Sequence, residues 1–160
     1  MTVVYRLAAT DDTPTVAELL HEMAAEAGRA IAVTGALLRD HGFGPDPRFR
    51  VILAEAEGEV LGLALVFPEY SSWRGAVGLY VQDLYVRPGA RGRGIAQALL
   101  TAAWDSASDW APSYLTLMVD HRNDTASAWY ERQGFGLRER GDLLILDGPA
   151  LARLMEGPDR

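Results

Sequence analysis

Hydrophobic and polar positions change period several times along the chain, and each change predicts an element. Val3 to Leu7 is a short apolar-rich run that reads as a strand. Asp11, Asp12 and Thr13 then precede Pro14, a normal helix entry with proline in the first turn. Val16, Leu19, Leu20 and Met23 recur at three- and four-residue spacings, which predicts an amphipathic helix as far as Ala27, interrupted at Gly28. A second short helix is predicted around Leu37 and Leu38, followed by a loop of Gly42, Phe43, Gly44, Pro45, Asp46 and Pro47.

The middle of the chain changes to the period of strands. Arg50 to Ala56 and Val60 to Phe67 predict a hairpin around Glu57-Gly58-Glu59, and Pro68 to Gly75 reads as a turn region. Val77 to Val86 is rich in β-branched and aromatic residues and predicts a long strand, with Asp83 as its only acid. Ile95, Ala98, Leu99, Ala102 and Ala103 predict a helix to about Ser106. Tyr114 to Val119 follows as a strand, and Thr125 to Gln133 as a helix closed by Gly134. A last hairpin, Gly136 to Arg140 with Leu143 to Asp147, and a short helix from Pro149 through Met155 complete the reading. The order predicts an α/β fold, a mixed sheet of about seven strands covered by helices, in one domain over residues 1–160.

Composition narrows the chemistry. The 160 residues include no cysteine, so a disulfide scaffold, a thiolate zinc site and a cysteine nucleophile are excluded. His21, His41 and His121 stand alone, without metal-ligand spacing, so no metal is expected. Net charge is −7, against a nucleic-acid partner and mildly in favour of a cationic small molecule. Every basic residue is arginine, so a lysine Schiff base is excluded. No apolar run approaches the roughly 18 residues of a membrane span, and the first residues lack a basic leader, so a soluble cytoplasmic protein is the expectation.

The sharpest local pattern lies between the long strand and the helix after it: Arg87-Pro88-Gly89-Ala90-Arg91-Gly92-Arg93-Gly94-Ile95-Ala96. A helix N-terminus offers unpaired amides and partial positive charge, glycines let the backbone approach an anion, and guanidiniums add donors. Taken alone, this is either a pyrophosphate site or a charged surface turn. It is not a Walker loop, which needs lysine, nor the Rossmann fingerprint.

Arg91, Gly92, Arg93, Gly94, Ile95 and Ala96 resemble the Gln/Arg-x-x-Gly-x-Gly/Ala signature of the GNAT superfamily of acetyl-CoA-dependent N-acetyltransferases. Asn123-Asp124-Thr125-Ala126-Ser127-Ala128-Trp129-Tyr130-Glu131-Arg132-Gln133-Gly134-Phe135 resembles that family's second block, at the expected distance. Leu37-Leu38 with Asp40, Gly42-Phe43-Gly44, Trp73-Arg74-Gly75 and Leu79 to Val86 look like the spermidine/spermine (diamine) N-acetyltransferase subgroup and its thialysine-acetylating relatives.

The resemblance implies acetyl-CoA as co-substrate, a small-molecule amine as acceptor and a homodimer. It implies that the amides of Arg91 to Ala96 hold the pyrophosphate, and that main chain at Leu84, Tyr85 and Val86 faces the pantetheine arm and the thioester. Tyr130 is implied as general acid to the leaving thiolate. Asn123 is either a bridge to the cofactor arm, the cap of its helix, or both. For the proton of the amine, Asp83 is the first candidate, directly or through water, with Tyr80, Glu26 and His121 in reserve. Strand alternation could aim Asp83 away from the cavity that Gln82 or Leu84 faces.

Gln82 and Asp83 stand where the subgroup has Glu-Asp, and Glu26 with Ala27 where it has Tyr-Glu. Loss of the subgroup's carboxylates at positions 82 and 27 weakens capture of a long polycation and favours a shorter, amino-acid-like or other xenobiotic amine. Trp73 is expected either to line the acceptor cleft or to make a dimer contact. A non-catalytic acyl-CoA sensor, a protein acceptor and an aminoglycoside acceptor are the alternatives.

Overall fold

The computed structural model of the chain describes residues 2–138 and 146–156. It divides into two compact units, Met1–Met118 and Val119–Arg160.

The first unit is built on a sheet ordered β1-β2-β3-β4-β5: Val4–Leu7, Arg50–Ala56, Glu59–Ser71, Ala76–Val86 and Leu115–Leu117. The first four strands pair antiparallel, and β5 joins β4 in parallel, so the sheet is mixed as expected. Helix α1, Thr13–Glu26, packs Val16, Leu19 and Leu20 on Val51, Leu53, Leu63, Leu65 and Tyr85, all buried. Helix α2 is Gly35–Gly42, and α3 is Ile95–Ser106, which packs on β2 and β3 through buried Ile95, Leu99 and Ala103. Covered on both faces, β2 is buried at Val51, Ile52, Leu53 and Ala54 in succession, the continuous apolar run of a central strand. Val51, Ile52 and Leu53 each contribute about 1.5–3 kcal/mol through burial.

Local chemistry sets the ends of these elements. Pro14 sits in the first turn of α1, and Thr13, itself buried, donates its hydroxyl to the Thr10 carbonyl. Gly28 ends the helix at φ +64°, with Arg29 N–H closing on the Ala24 carbonyl. A segment without regular structure then runs to α2, whose N-cap, Thr34, accepts from Leu37 N–H.

The expected turn over Pro68 to Gly75 is shorter than that. Strand β3 runs on through Pro68 to Ser71, pairing with β4 alone, because β2 ends opposite Val66. A proline without an amide is tolerated there, where the strand has a neighbour on one side only. The second unit holds α4, Asp124–Arg132, and α5, Gly148–Glu156. Of the expected seven strands, five are found among the described residues. The last expected hairpin falls largely outside them, and Gly136, Leu137 and Arg138 carry no regular structure.

Candidate functional site

Strand β4 has an irregularity at its centre. Asp83 pairs with Leu65 and Val81 with Val66, so Gln82 is an extra residue with no partner of its own on β3. Such a bulge re-aims side chains. Strict alternation would send Gln82 and Asp83 to opposite faces of the sheet. Here both line one cavity of about 540 Å³, walled by α1, α2, β3 and the segment Ile31-Ala32-Val33. The walls are mainly apolar, with Leu20, Leu38, Phe49, Leu65 and Phe67 prominent, and Asp83 is the only acid among them. Desolvation pushes its carboxyl up to about 6, so a charged amine entering the cavity would meet a poorly solvated carboxylate.

The segment that closes the cavity is held by a side chain. His21 on α1 shares a hydrogen bond of 2.8 Å with the Val33 carbonyl. Gly42 lies so close to the Phe49 ring that a β-carbon there would stand 2.3 Å from it. Sequence reading missed Ile31 to Val33, Arg48 and Phe49 as lining. The available signal was an apolar triplet between Gly28 and Gly35 that belongs to no strand or helix.

Beyond the bulge, β4 offers main chain. Strand β5 pairs only with Leu79, Tyr80 and Val81, so from Gln82 to Val86 that edge of β4 has no strand beside it among the described residues. Arg87 N–H donates to the Leu61 carbonyl on β3, and by alternation Val86 and Leu84 turn their peptide groups to the open edge. The Val86 carbonyl is there used by Arg91 Nε at 2.7 Å. Tyr85 turns its side chain into the core and its hydroxyl to Glu26 at 2.7 Å; desolvation first, and Glu26 second, push that phenol up to about 12.

The loop after β4 brings Gly92 and Gly94 to φ +74° and +76°, a region that favours glycine. A β-carbon at either would meet nothing within 4 Å, so this backbone borders open space. Helix α3 starts at Ile95 with Gly94 as its cap and no capping side chain, which leaves its first amides for a ligand. Arg93 is exposed and has no hydrogen bond or ion pair among the described residues. Arg91, by contrast, is tied at 2.7 Å to Glu26, whose carboxyl is held below its usual range by Arg91 and Tyr85 against the effect of burial. Uncapped amides, glycine backbone facing open space and an unpaired guanidinium suit a pyrophosphate, the anionic part of acetyl-CoA.

Glu26 therefore binds the loop arginine and Tyr85, and it is not among the residues lining the cavity. Trp73 lies in the turn between β3 and β4, 92% exposed, and does not line the cavity either. Tyr80 stacks on Phe67 with ring centroids 5.0 Å apart.

In the second unit, Asn123 caps α4, accepting from Ala126 N–H at 3.0 Å, and among the described residues its side-chain amide N–H groups make no hydrogen bond. Tyr130 sits between Trp129 and Phe135 in edge-to-face contacts of 5.2 and 5.4 Å. Desolvation raises the pKa of its phenol, which stays protonated at neutral pH and is not hydrogen-bonded among the described residues. His121 is exposed. Among the described residues no group of three acids or histidines could hold a metal, and no helix is long and apolar enough to cross a membrane.

Comparison with known proteins agrees with this geometry. The profile of the Acetyltransferase (GNAT) domain matches residues 47–136. The thialysine N-epsilon-acetyltransferase of Bos taurus is 31% identical over 142 residues, covering 82% of this chain and 83% of its own. The human spermidine/spermine N(1)-acetyltransferase-like protein 1 is 36% identical over 139 residues, 81% of this chain and 20% of its own. Among solved structures, the Vibrio cholerae integron cassette protein VCH_CASS6 superposes with a TM-score of 0.79 at 21% identity, covering 98% of this chain and 99% of its own. The chain belongs to the GNAT family of acetyl-CoA-dependent N-acetyltransferases.

Proposed function

We propose that this enzyme acetylates the primary amine of a small molecule seated in the cavity beneath α1 and α2, with Asp83 receiving the ammonium and its proton. The observation that carries this reading is the bulge at Gln82, which aims Gln82 and Asp83 into the cavity and is followed at once by the open edge of Leu84 and Val86. An acceptor pocket and a cofactor shelf thereby lie on one strand and the loop after it. The subgroup resemblance supports the same reading, since the bovine relative is named for an amine-bearing amino acid and the human one for polyamines.

Acetyl-CoA supplies an acetyl group already activated as a thioester. The amine must arrive neutral. With a pKa near about 10, an alkylamine is uncharged in only roughly one molecule per thousand at pH 7. Asp83 first pairs with the ammonium and then takes a proton, directly or through water. The amine nitrogen forms the new C–N bond as the C–S bond breaks. Of the two protons the ammonium loses overall, one goes to the sulfur and one to solvent. Leu84 and Val86 amides are the donors for the carbonyl oxygen as it gains charge. Gly92 to Ala96 amides and Arg93 hold the pyrophosphate, while Arg91 fastens the loop to α1. Tyr130, a protonated phenol without a hydrogen-bond partner among the described residues, is the acid for the sulfur; its assignment rests on the resemblance of the segment that carries it. A homodimer follows from the subgroup resemblance.

The test is release of free coenzyme A thiol from acetyl-CoA across putrescine, spermidine, spermine, thialysine, lysine, aminoglycosides and short peptides. Wild type is run beside Tyr130→Phe. Turnover of one small-amine class, lowered at least about tenfold in the variant with acetyl-CoA affinity unchanged, is the expected result. Tight acetyl-CoA binding without turnover of any amine would instead make the chain a sensor.

A further inference from the structure

Acids close to the acceptor cavity are engaged elsewhere, with one exception. On α1, Glu18 and Glu22 pair with Arg87, and Glu26 with Arg91 and the Tyr85 hydroxyl. None of the three lines the cavity, and Asp83 is the only carboxylate among its described lining residues. The rest of the wall divides by exposure. Leu20, Leu38 and Leu65 are buried and Phe49 and Phe67 half-buried, so the inner wall is aliphatic and aromatic. Phe67 is further held by its stack on Tyr80. The other polar lining side chains, His41, Arg48 and Gln82, are exposed, and Arg48 is paired with Asp46 at 3.1 Å. Polar side chains thus stand where solvent reaches them, apart from half-buried Asp83.

One carboxylate set in an apolar wall is matched to one cation on an apolar body. From this arrangement we infer that the acceptor is a primary monoamine with an apolar tail, its ammonium at Asp83 and its tail against the leucines and phenylalanines. The inference rests on the acetyl-transfer reading and narrows it. Such a tail gains from every apolar group it removes from water, by about three- to fourfold in affinity per methylene. A diamine or polyamine brings a second ammonium. To seat its chain on the same wall, that ammonium must leave water with no carboxylate to meet it among the described lining residues, which is strongly disfavoured. Keeping the second charge in solvent instead lifts the chain off the wall and gives up the apolar contact.

The experiment compares kcat/KM for hexylamine, 5-aminopentan-1-ol and 1,5-diaminopentane, which share one span and differ only at the far end: methyl, hydroxyl or ammonium. Wild type is run beside Leu37→Glu, with calorimetric binding of hexylamine and the diamine to each protein in the presence of coenzyme A. Leu37 lines the cavity from α2 and is 42% exposed, so a carboxylate there adds a second charge without emptying the core. Wild type is expected to favour hexylamine over the diamine by at least about tenfold, with the alcohol between them. Leu37→Glu should cut the ratio of hexylamine to diamine by about fivefold. Preference of wild type for the diamine, or equal turnover of all three, would overturn the inference while acetyl transfer stands. A preference for hexylamine that Leu37→Glu leaves unchanged would place the discrimination outside this cavity and overturn it as well. Selective binding of hexylamine without acetylation of any amine would support the ligand class and refute the transfer reading. Neither binding nor turnover would overturn both.

Discussion

On the proposed reading, the two ends of the stretch from Gln82 to Ala96 work by different means. At Gln82 and Asp83 side chains matter: a half-buried carboxylate in an apolar cavity, placed by one unpaired residue in a strand. From Leu84 to Ala96 the main chain matters: an open strand edge, two left-handed glycines and an uncapped helix. Chemistry by side chain is changed by any substitution of that side chain. Chemistry by main chain is changed only when a substitution alters the backbone or fills the space above it. The two regions should therefore fail differently, one in acceptor turnover and the other in cofactor affinity.

Asp83→Asn should give the largest effect. Loss of a general base typically costs 10²–10⁴-fold, so kcat/KM for the amine is expected to fall by at least about a hundredfold with acetyl-CoA affinity unchanged. The same change should stabilise the fold. In the folded protein the Asp83 carboxyl keeps its proton up to about 6, whereas the unfolded chain gives it up in the usual carboxylate range. Stability is therefore lost as pH rises through that window, and the penalty persists above it. Discounted for partial solvent access, removing it is worth on the order of 1 kcal/mol, or about 2–4 °C in Tm at pH 7.5 by thermal melt.

Gly94→Ala should strike the other region. A β-carbon at φ +76° costs about 1–2 kcal/mol and intrudes on the open shelf. Acetyl-CoA Kd, by calorimetry, should rise about tenfold while KM for the amine moves little. Equal damage to both ligands would erase the distinction between the regions. A smaller effect is expected at Gly42→Ala, where the new methyl must displace the Phe49 ring. That reshapes the acceptor cavity alone, raising KM for the amine about threefold with acetyl-CoA Kd unchanged. Glu26→Gln should do least. It loosens Arg91, but the pair is half exposed, so acetyl-CoA Kd should change about twofold and Tm by about 1 °C at most.

The difference between the regions also governs what the sequence makes legible. Backbone chemistry leaves a local signature: Gly92 and Gly94 are glycines because φ is positive there, and α3 starts where the periodic run at Ile95 begins. The boundaries of β2 and α3 follow from the residues for the same local reason. Side-chain placement depends on pairing across the sheet. Whether Asp83 faces the cavity turns on how β4 registers with β3, and no residue in Val77 to Val86 marks Gln82 as the bulge. Pro68 was misleading for the same reason, since its place in β3 depends on where β2 stops. Glu26 is at the expected end of α1, but its partners Arg91 and Tyr85 are distant in sequence and nothing local couples them.

The central claim is that Asp83 receives the proton of the acceptor amine, and its titration tests it most directly. With the amine that the panel identifies, kcat/KM would be measured from pH 5 to 8 in wild type and Asp83→Asn. The account predicts an added bend near pH 6 in wild type, with activity lost on the acid side, and a low profile without that bend in the variant. The same bend in both proteins, at comparable rates, would place the proton on another group and contradict it.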